Sequence, residues 1–215
     1  KDGTMHVKVV THKTGEQIPI MLDAHGMPIT LPNEFVLSRR ALSTNTLVRN
    51  LRELSVLYDW LEASGCDLST KLLAQNSFNE AELKGGLVES LRVDKVSGRV
   101  KAISPNTFNQ RLTTVRQFFG WCMDVLTSQL SMSSFDYERL RERKTFILKA
   151  FDSSFMSATP ARTSVRKGLN DNEVDFLLGI LDPDNENAFG RAPAVRFRNY
   201  VSVGLMLFCG LRPGE

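Results

Sequence analysis

The sequence has little of what most enzyme sites and membrane segments need. Its 215 residues include three histidines, all within the first 25 positions, and three widely spaced cysteines, Cys66, Cys122 and Cys209. An odd cysteine count without a C-x-x-C pair argues against a disulfide framework and a zinc site, and favours an intracellular, cytoplasmic location. No run approaches the roughly 18 apolar residues of a spanning helix. We therefore expect no membrane segment, no secretory signal and no histidine-dependent catalysis beyond residue 25.

Acidic residues are also missing from four long windows, although the net charge is only +3. The windows are residues 35–52, 95–123, 153–170 and 187–214, which carry four, five, three and four basic residues. Together they hold 16 of the 27 basic residues. Surfaces without carboxylates suit a polyanion, because an acid near a phosphate opposes binding. The other interpretation is chance clustering on solvated faces.

The first 37 residues differ in pattern from the rest. Short β-prone runs at 7–10, 18–22 and 29–31, separated by turn-forming stretches, predict a β meander or arm. Pro19, Pro28 and Pro32 remove backbone donors, so these strands should be edges or short pieces.

From residue 43 the apolar period becomes helical. Ser43 or Thr44 can cap a helix that ends at Gly65. A later helix, the fourth along the chain, is predicted over 135–151. A weaker helix is predicted over 78–91, interrupted by Gly85 and Gly86, with a loop at 93–103.

The clearest helix opens at Ser104 and Pro105. Its apolar face is lined by Phe108, Leu112, Val115, Phe119, Cys122 and Leu126. The opposite face carries Asn106, Asn109, Gln110, Thr113 and Gln117, with Arg111 and Arg116 towards its edges. Such amides, hydroxyls and guanidiniums contact base edges and phosphates, which favours DNA contact over a solvated face.

A linker is predicted next, followed by a second helical unit. Residues 153–167 lack an apolar period, and Asn170 and Glu173 have capping-box spacing. The strongly apolar run at 197–209 predicts a helix buried on most sides. This run leads into the sequence GLRPGE at 210–215.

The segment FRNYVSVGLMLFCGLRPGE, residues 197–215, resembles the helix and turn that carry the first catalytic arginine, in a G-L-R-x-x-E motif, of tyrosine recombinases (phage integrases). Residues 43–68 and 104–126 resemble helices of that family's core-binding domain. The resemblance implies a mainly α fold. We expect a β-rich arm at 1–37, a helical-bundle (SAM-like) DNA-binding domain at 38–152, a basic linker at 153–168 and the start of a truncated catalytic domain at 169–215.

The resemblance implies a site-specific recombinase that integrates or recombines the DNA of a mobile element through a 3′-phosphotyrosyl intermediate. Arg212 would be catalytic, since a guanidinium can hold two phosphate oxygens; otherwise it caps a helix end. Tyr58, Tyr137 and Tyr200 all precede Arg212, so none is assigned as nucleophile. We expect a portion of a longer enzyme that is inactive alone, with no metal, nucleotide cofactor or small-molecule substrate.

The expected partners are double-stranded DNA and other recombinase protomers, four on the DNA. Phosphate contact is assigned to Arg49, Arg111, Arg116, Arg162, Arg166 and Lys167. Base-edge contact is assigned to Asn106, Asn109, Gln110, Thr113 and Gln117. Residues 1–37 are interpreted as a packing or protomer-contact element. Two other functions stay open, a non-enzymatic DNA-binding regulator and an all-helical protein-interaction domain.

Overall fold

Helices make up most of the structure, a computed structural model that describes residues 5–74, 76–96, 99–157, 168–186, 188–190 and 192–211. The predicted mainly α class is confirmed. The chain divides into unit 1, Lys1–Thr159, and unit 2, Pro160–Glu215. The elements of unit 1 are β1 (His6–Thr11), β2 (Gln17–Leu22), α1 (Thr30–Ser38), α2 (Thr44–Ala63), α3 (Leu68–Leu73), a π-helix (Ala81–Val88), α4 (Glu89–Leu91), β3 (Val93–Val96), β4 (Arg99–Ala102), α5 (Pro105–Ser128) and α6 (Phe135–Asp152). Unit 2 contains α7 (Asp171–Leu181) and α8 (Pro193–Cys209).

The amino-terminal hairpin forms as predicted, but the third strand does not. β1 and β2 pair in antiparallel register, and the chain then enters α1 where the strand at 29–31 was expected. The side chain of Asn33 explains the difference. Its Oδ1 accepts from the Met21 backbone N–H at 2.7 Å and its Nδ2 donates to the Met21 carbonyl at 3.0 Å. The backbone reaches this edge of β2 through the Leu22–Pro28 bridge and a bond from the Ile29 N–H to the Met21 carbonyl at 3.1 Å, and the Asn33 amide takes the Met21 N–H that a longer third strand would use.

The core of unit 1 lies between α2, α5 and α6. Ser43 and Ser104 cap α2 and α5 as predicted, each accepting a backbone N–H three residues later, at 3.3 and 3.2 Å. The predicted apolar stripes of both helices face this core. Phe119 contacts Phe118 and Phe151 edge to face, with ring centroids 6.4 and 5.2 Å apart. The hairpin joins the same core through buried Met21, which agrees with a packing role for the first residues.

The two glycines at 85 and 86 do not interrupt the predicted helix. Residues 81–91 are continuous, first as a π-helix and then as α4. Gly86 lies against the ring of Trp60, where an added Cβ would sit 3.0 Å from Cζ2. The glycine therefore permits close packing rather than a break.

A second hairpin replaces the loop predicted at 93–103. β3 and β4 pair in antiparallel register, with Asp94 opposite Lys101. Each strand has only four residues, and β3 does not alternate between polar and apolar side chains, so the pattern that marks a strand is too short to stand out.

Unit 2 agrees with the predicted capping box and disagrees with the predicted burial. Asn170 and Glu173 cap α7 reciprocally, at 2.9 and 2.8 Å. No residue of α8 is buried, so the expectation of a helix buried on most sides is wrong. An apolar composition indicates a surface that favours burial, but it does not show whether another element of the same unit covers that surface. Among the described residues, no helix is long and apolar enough to cross a membrane.

Candidate nucleic-acid interface

A groove lined by polar side chains, with a volume of about 450 Å³, lies beside α2 and α5 in unit 1. We call it the polar groove. It is lined by Arg39, Arg49, Asn50, Asn106, Asn109, Gln110, Thr113, Thr114 and Gln117. All five amide and hydroxyl residues predicted on the polar face of α5 belong to it. The polar face of α5 thus forms one wall of the groove, and residues of α2 and the end of α1 form the other.

The lining residues come from two of the four acid-free windows. Three belong to residues 35–52 and six to residues 95–123, and none is acidic. The fold therefore brings together two stretches that are separated by more than 40 residues in the sequence. Their meeting produces a surface of hydrogen-bonding groups and positive charge.

A buried hydrogen-bonded group lies beneath the groove. Asn50, Glu53 and Thr114 are only 2%, 8% and 4% exposed. The Thr114 hydroxyl donates to Glu53 Oε2 at 2.6 Å, and Glu53 Oε1 lies 3.8 Å from Arg49 Nε. The Glu53 carboxylate is thereby held by the protein and does not line the groove. It offsets part of the charge of the two lining arginines, which leaves the groove positive.

Arg39 is half-buried at the end of α1. Its guanidinium lies over the Phe35 ring, with Cζ 5.0 Å from the ring centroid. Burial lowers the pKa of Arg39, and the nearby charge of Arg49 lowers that pKa further. Because the ordinary pKa of an arginine lies far above neutral pH, Arg39 stays a cation.

Among the residues that line the groove, two buried donor atoms have no hydrogen-bond partner in the part of the chain that the structure describes. They are Arg39 Nη1 and Asn50 Nδ2. A buried N–H without an acceptor costs about 1–3 kcal/mol, so a native chain seldom retains one without a use. Both residues line the polar groove.

The α5 residues of the groove differ in how far their side chains are already engaged. Asn109 donates from Nδ2 to the Met156 carbonyl at 2.9 Å, and its Oδ1 accepts from the Met156 N–H at 3.0 Å. The Thr113 hydroxyl donates to its own helix at the Asn109 carbonyl, 2.7 Å away. Among the described residues, no side-chain hydrogen bond involves the three exposed amides, Asn106, Gln110 and Gln117. These three are the ones available to a ligand.

The two arginines assigned to the edges of this face do not line the groove. The Arg111 guanidinium donates to the Val93 carbonyl at 3.0 Å and pairs with Asp94, and its side chain is only 12% exposed. The Arg116 guanidinium forms two bonds with Asp152, at 2.6 and 3.0 Å. Both guanidiniums hold parts of unit 1 together, so the groove gives no support to their assignment as phosphate contacts.

Four predicted residues, Arg162, Arg166, Lys167 and Arg212, lie outside the described residues. Conversely, the helical pattern missed Arg39, Asn50 and Thr114, which share the groove with the predicted face. One signal was present in the sequence. Asn50 and Thr114 are polar residues directly beside the apolar stripes of α2 and α5, where a buried polar side chain needs a partner.

Comparison with the models of known protein families, with curated proteins and with solved structures finds no match to this chain. In the described part of the chain, no group of histidine, cysteine, aspartate or glutamate residues is arranged to hold a metal ion.

Proposed function

We propose that unit 1 binds double-stranded DNA through the polar groove, as the DNA-gripping part of a tyrosine recombinase. The observation that carries this proposal is the joining of two acid-free windows into one surface of amides, hydroxyls and arginines. Phosphate contacts dominate DNA affinity, and a surface without carboxylates suits them. A solvated face of ordinary composition would mix glutamate and lysine into the same positions.

In this proposal the two walls of the groove make different contacts with DNA. Asn106, Gln110 and Gln117 on α5 would contact base edges, since an amide can donate and accept in one plane. Arg39 and Arg49 on the facing wall would contact phosphates, which set the position of the protein on the duplex.

The recombinase part of the proposal rests on the resemblance of the G-L-R-x-x-E segment. There Arg212 would neutralise charge on the phosphodiester under attack, and the tyrosine nucleophile would belong to a longer protein. A DNA-binding regulator without strand cleavage would use the same groove. The presence or absence of cleavage by a longer protein carrying this chain separates the two.

A paired set of variants tests DNA binding. Arg49→Gln with Gln117→Ala replaces one cation of the groove by an amide and truncates one amide of the α5 face. Arg52→Gln with Gln129→Ala makes the same chemical change at exposed positions outside it. We expect the first variant to bind a random-sequence duplex about 10- to 100-fold more weakly at fixed low salt, because a hydrogen bond to a charged group contributes about 1.5–3 kcal/mol.

The same titrations repeated over a salt series give a second readout. The slope of log K against log salt should fall by about one for the groove variant, since one phosphate contact is lost. Equal affinities and equal slopes for the two variants would contradict binding through the groove.

One observation in unit 2 favours a second function, protein interaction. Phe197 and Phe208 on α8 are 61% and 72% exposed, and Phe176 on α7 is also exposed. Exposed aromatic residues are enriched in protein contact surfaces. A contact between copies of this chain agrees with the several protomers that recombination requires.

A further inference from the structure

We propose that Arg39, Arg49 and Asn50 form a binding site for a single tetrahedral oxyanion, a backbone phosphate, within the polar groove. The proposal rests on DNA binding by unit 1, and it adds Asn50 to the two arginines and brings the three residues onto one phosphate.

The first argument is the supply of unused donors. Asn50 is 2% exposed, lines the groove and has an Nδ2 group with no acceptor among the described residues. Its Oδ1 faces the Thr114 hydroxyl at 3.4 Å, which leaves the Nδ2 side of the amide as the open donor. Arg39 Nη1 is buried and unpartnered in the same way. A phosphate oxygen would accept from both groups and remove their desolvation cost.

The second argument is the arrangement of charge. Arg39 and Arg49 both line the groove with no carboxylate beside them, and the positive charge of Arg49 contributes to lowering the pKa of Arg39. Glu53 relieves this repulsion only in part. Its Oε1 stands 3.8 Å from Arg49 Nε, beyond ordinary hydrogen-bond distance, and its other oxygen accepts from Thr114. An anion in the groove would complete the neutralisation.

The third argument is that the donors are held in place before a ligand arrives. The Arg39 guanidinium rests on the Phe35 ring, and that ring packs edge to face against Phe118 at 5.4 Å. Asn50 is fixed within α2 and beside Thr114 of α5. Ordering these groups therefore costs little when the ligand binds, which is the condition for a specific anion site rather than a diffuse basic surface.

The test uses the neighbouring arginine as its control. Arg39→Gln and Arg40→Gln each remove one positive charge, but Arg40 is exposed, pairs with Glu16 at 2.6 Å and does not line the groove. Each variant is titrated with a set of duplexes in which one phosphate at a time is replaced by a neutral methylphosphonate. Thermal melts and circular dichroism establish that both variants fold.

For the unmodified chain and for Arg40→Gln, we expect one methylphosphonate position to weaken binding about 10-fold or more. For Arg39→Gln, the intact duplex should already bind about 10-fold more weakly, and the same position should have no further effect. If Arg39→Gln retains the full sensitivity at that position, the phosphate site is wrong although DNA binding stands.

Binding of inorganic sulfate gives a second test that does not depend on DNA. At constant ionic strength, sulfate should shift the NMR signal of the Asn50 side-chain amide in the unmodified chain, and Asn50→Asp should abolish sulfate binding. A shift together with absent duplex binding would support the anion site while overturning the proposed function. No shift with sulfate, or a shift only with an acidic peptide, would overturn the phosphate site.

Discussion

At the residue scale, the arginines of unit 1 differ in what their guanidiniums meet. Arg111 and Arg116 pair with Asp94 and Asp152, which lie 17 and 36 residues away and outside the acid-free windows. Arg39 and Arg49 face the groove instead. A helical projection of α5 locates an arginine on a face but contains no information about an acid on another element. The sequence could therefore predict the amides on the polar face of α5, but it could not show which arginines pair with an acid on another element.

The Arg116 pair offers a prediction that preserves net charge. Arg116→Ala combined with Asp152→Ala removes both partners of an exposed ion pair, whose contribution to stability is about 0–1 kcal/mol. We expect duplex affinity to change by less than about twofold, because the pair presents no net charge to DNA. Measured beside Gln117→Ala, a 10-fold loss for the double variant would restore Arg116 to the interface.

At the element scale, helices with a long apolar period are the ones that the sequence predicts well. α2 and α5 each run for 20 or more residues with a serine cap and a continuous buried stripe. α1 has only nine residues, with Pro32 in its first turn, and depends on the contact of Asn33 with β2. Short elements take their form from such tertiary contacts, which local patterns do not contain.

Gly85 and Gly86, in the π-helix before α4, test how side-chain packing and backbone entropy each affect stability. Gly86→Ala places a Cβ 3.0 Å from Trp60 Cζ2, whereas an added Cβ at Gly85 meets nothing within 4 Å. We expect Gly86→Ala to lower the free energy of unfolding by about 1 kcal/mol or more through overpacking. Gly85→Ala should raise it by about 0.4–1 kcal/mol, because alanine loses less backbone entropy on folding.

Urea unfolding of the two alanine variants measures this difference directly. An increase in the free energy of unfolding for both variants would show that the ring of Trp60 moves aside without cost. Unchanged slopes with denaturant would indicate that stability changes while the surface exposed on unfolding stays the same.

At the scale of the whole molecule, the groove depends on two stretches of chain meeting in space. Acid-free windows are visible in the sequence, and so is the polar face of α5. Which windows meet depends on the packing of α1 and α2 against α5, a long-range outcome that charge patterns do not encode. The same limit explains α8, whose apolar composition predicted burial without reference to a covering element.

The exposed face of α8 leads to a prediction about self-association. Phe197→Ser with Phe208→Ser removes two exposed aromatic side chains from unit 2 and should shift the chain towards monomer in sedimentation experiments. Phe135→Ser with Phe146→Ser makes the same change at exposed positions of unit 1 and should leave the distribution unchanged. Identical behaviour of the two variants would remove α8 from any contact between copies.

The bond between Asn109 and Met156 sets a condition on when the groove exists during synthesis. One wall comes from residues near position 50, the other from residues near 110, and the Asn109 amide is fixed only once Met156 has been made. A growing chain that has reached the end of α5 thus carries both acid-free windows before the Asn109 amide has its bonding partner. The polar face of α5 therefore reaches its final arrangement only after α6 is complete.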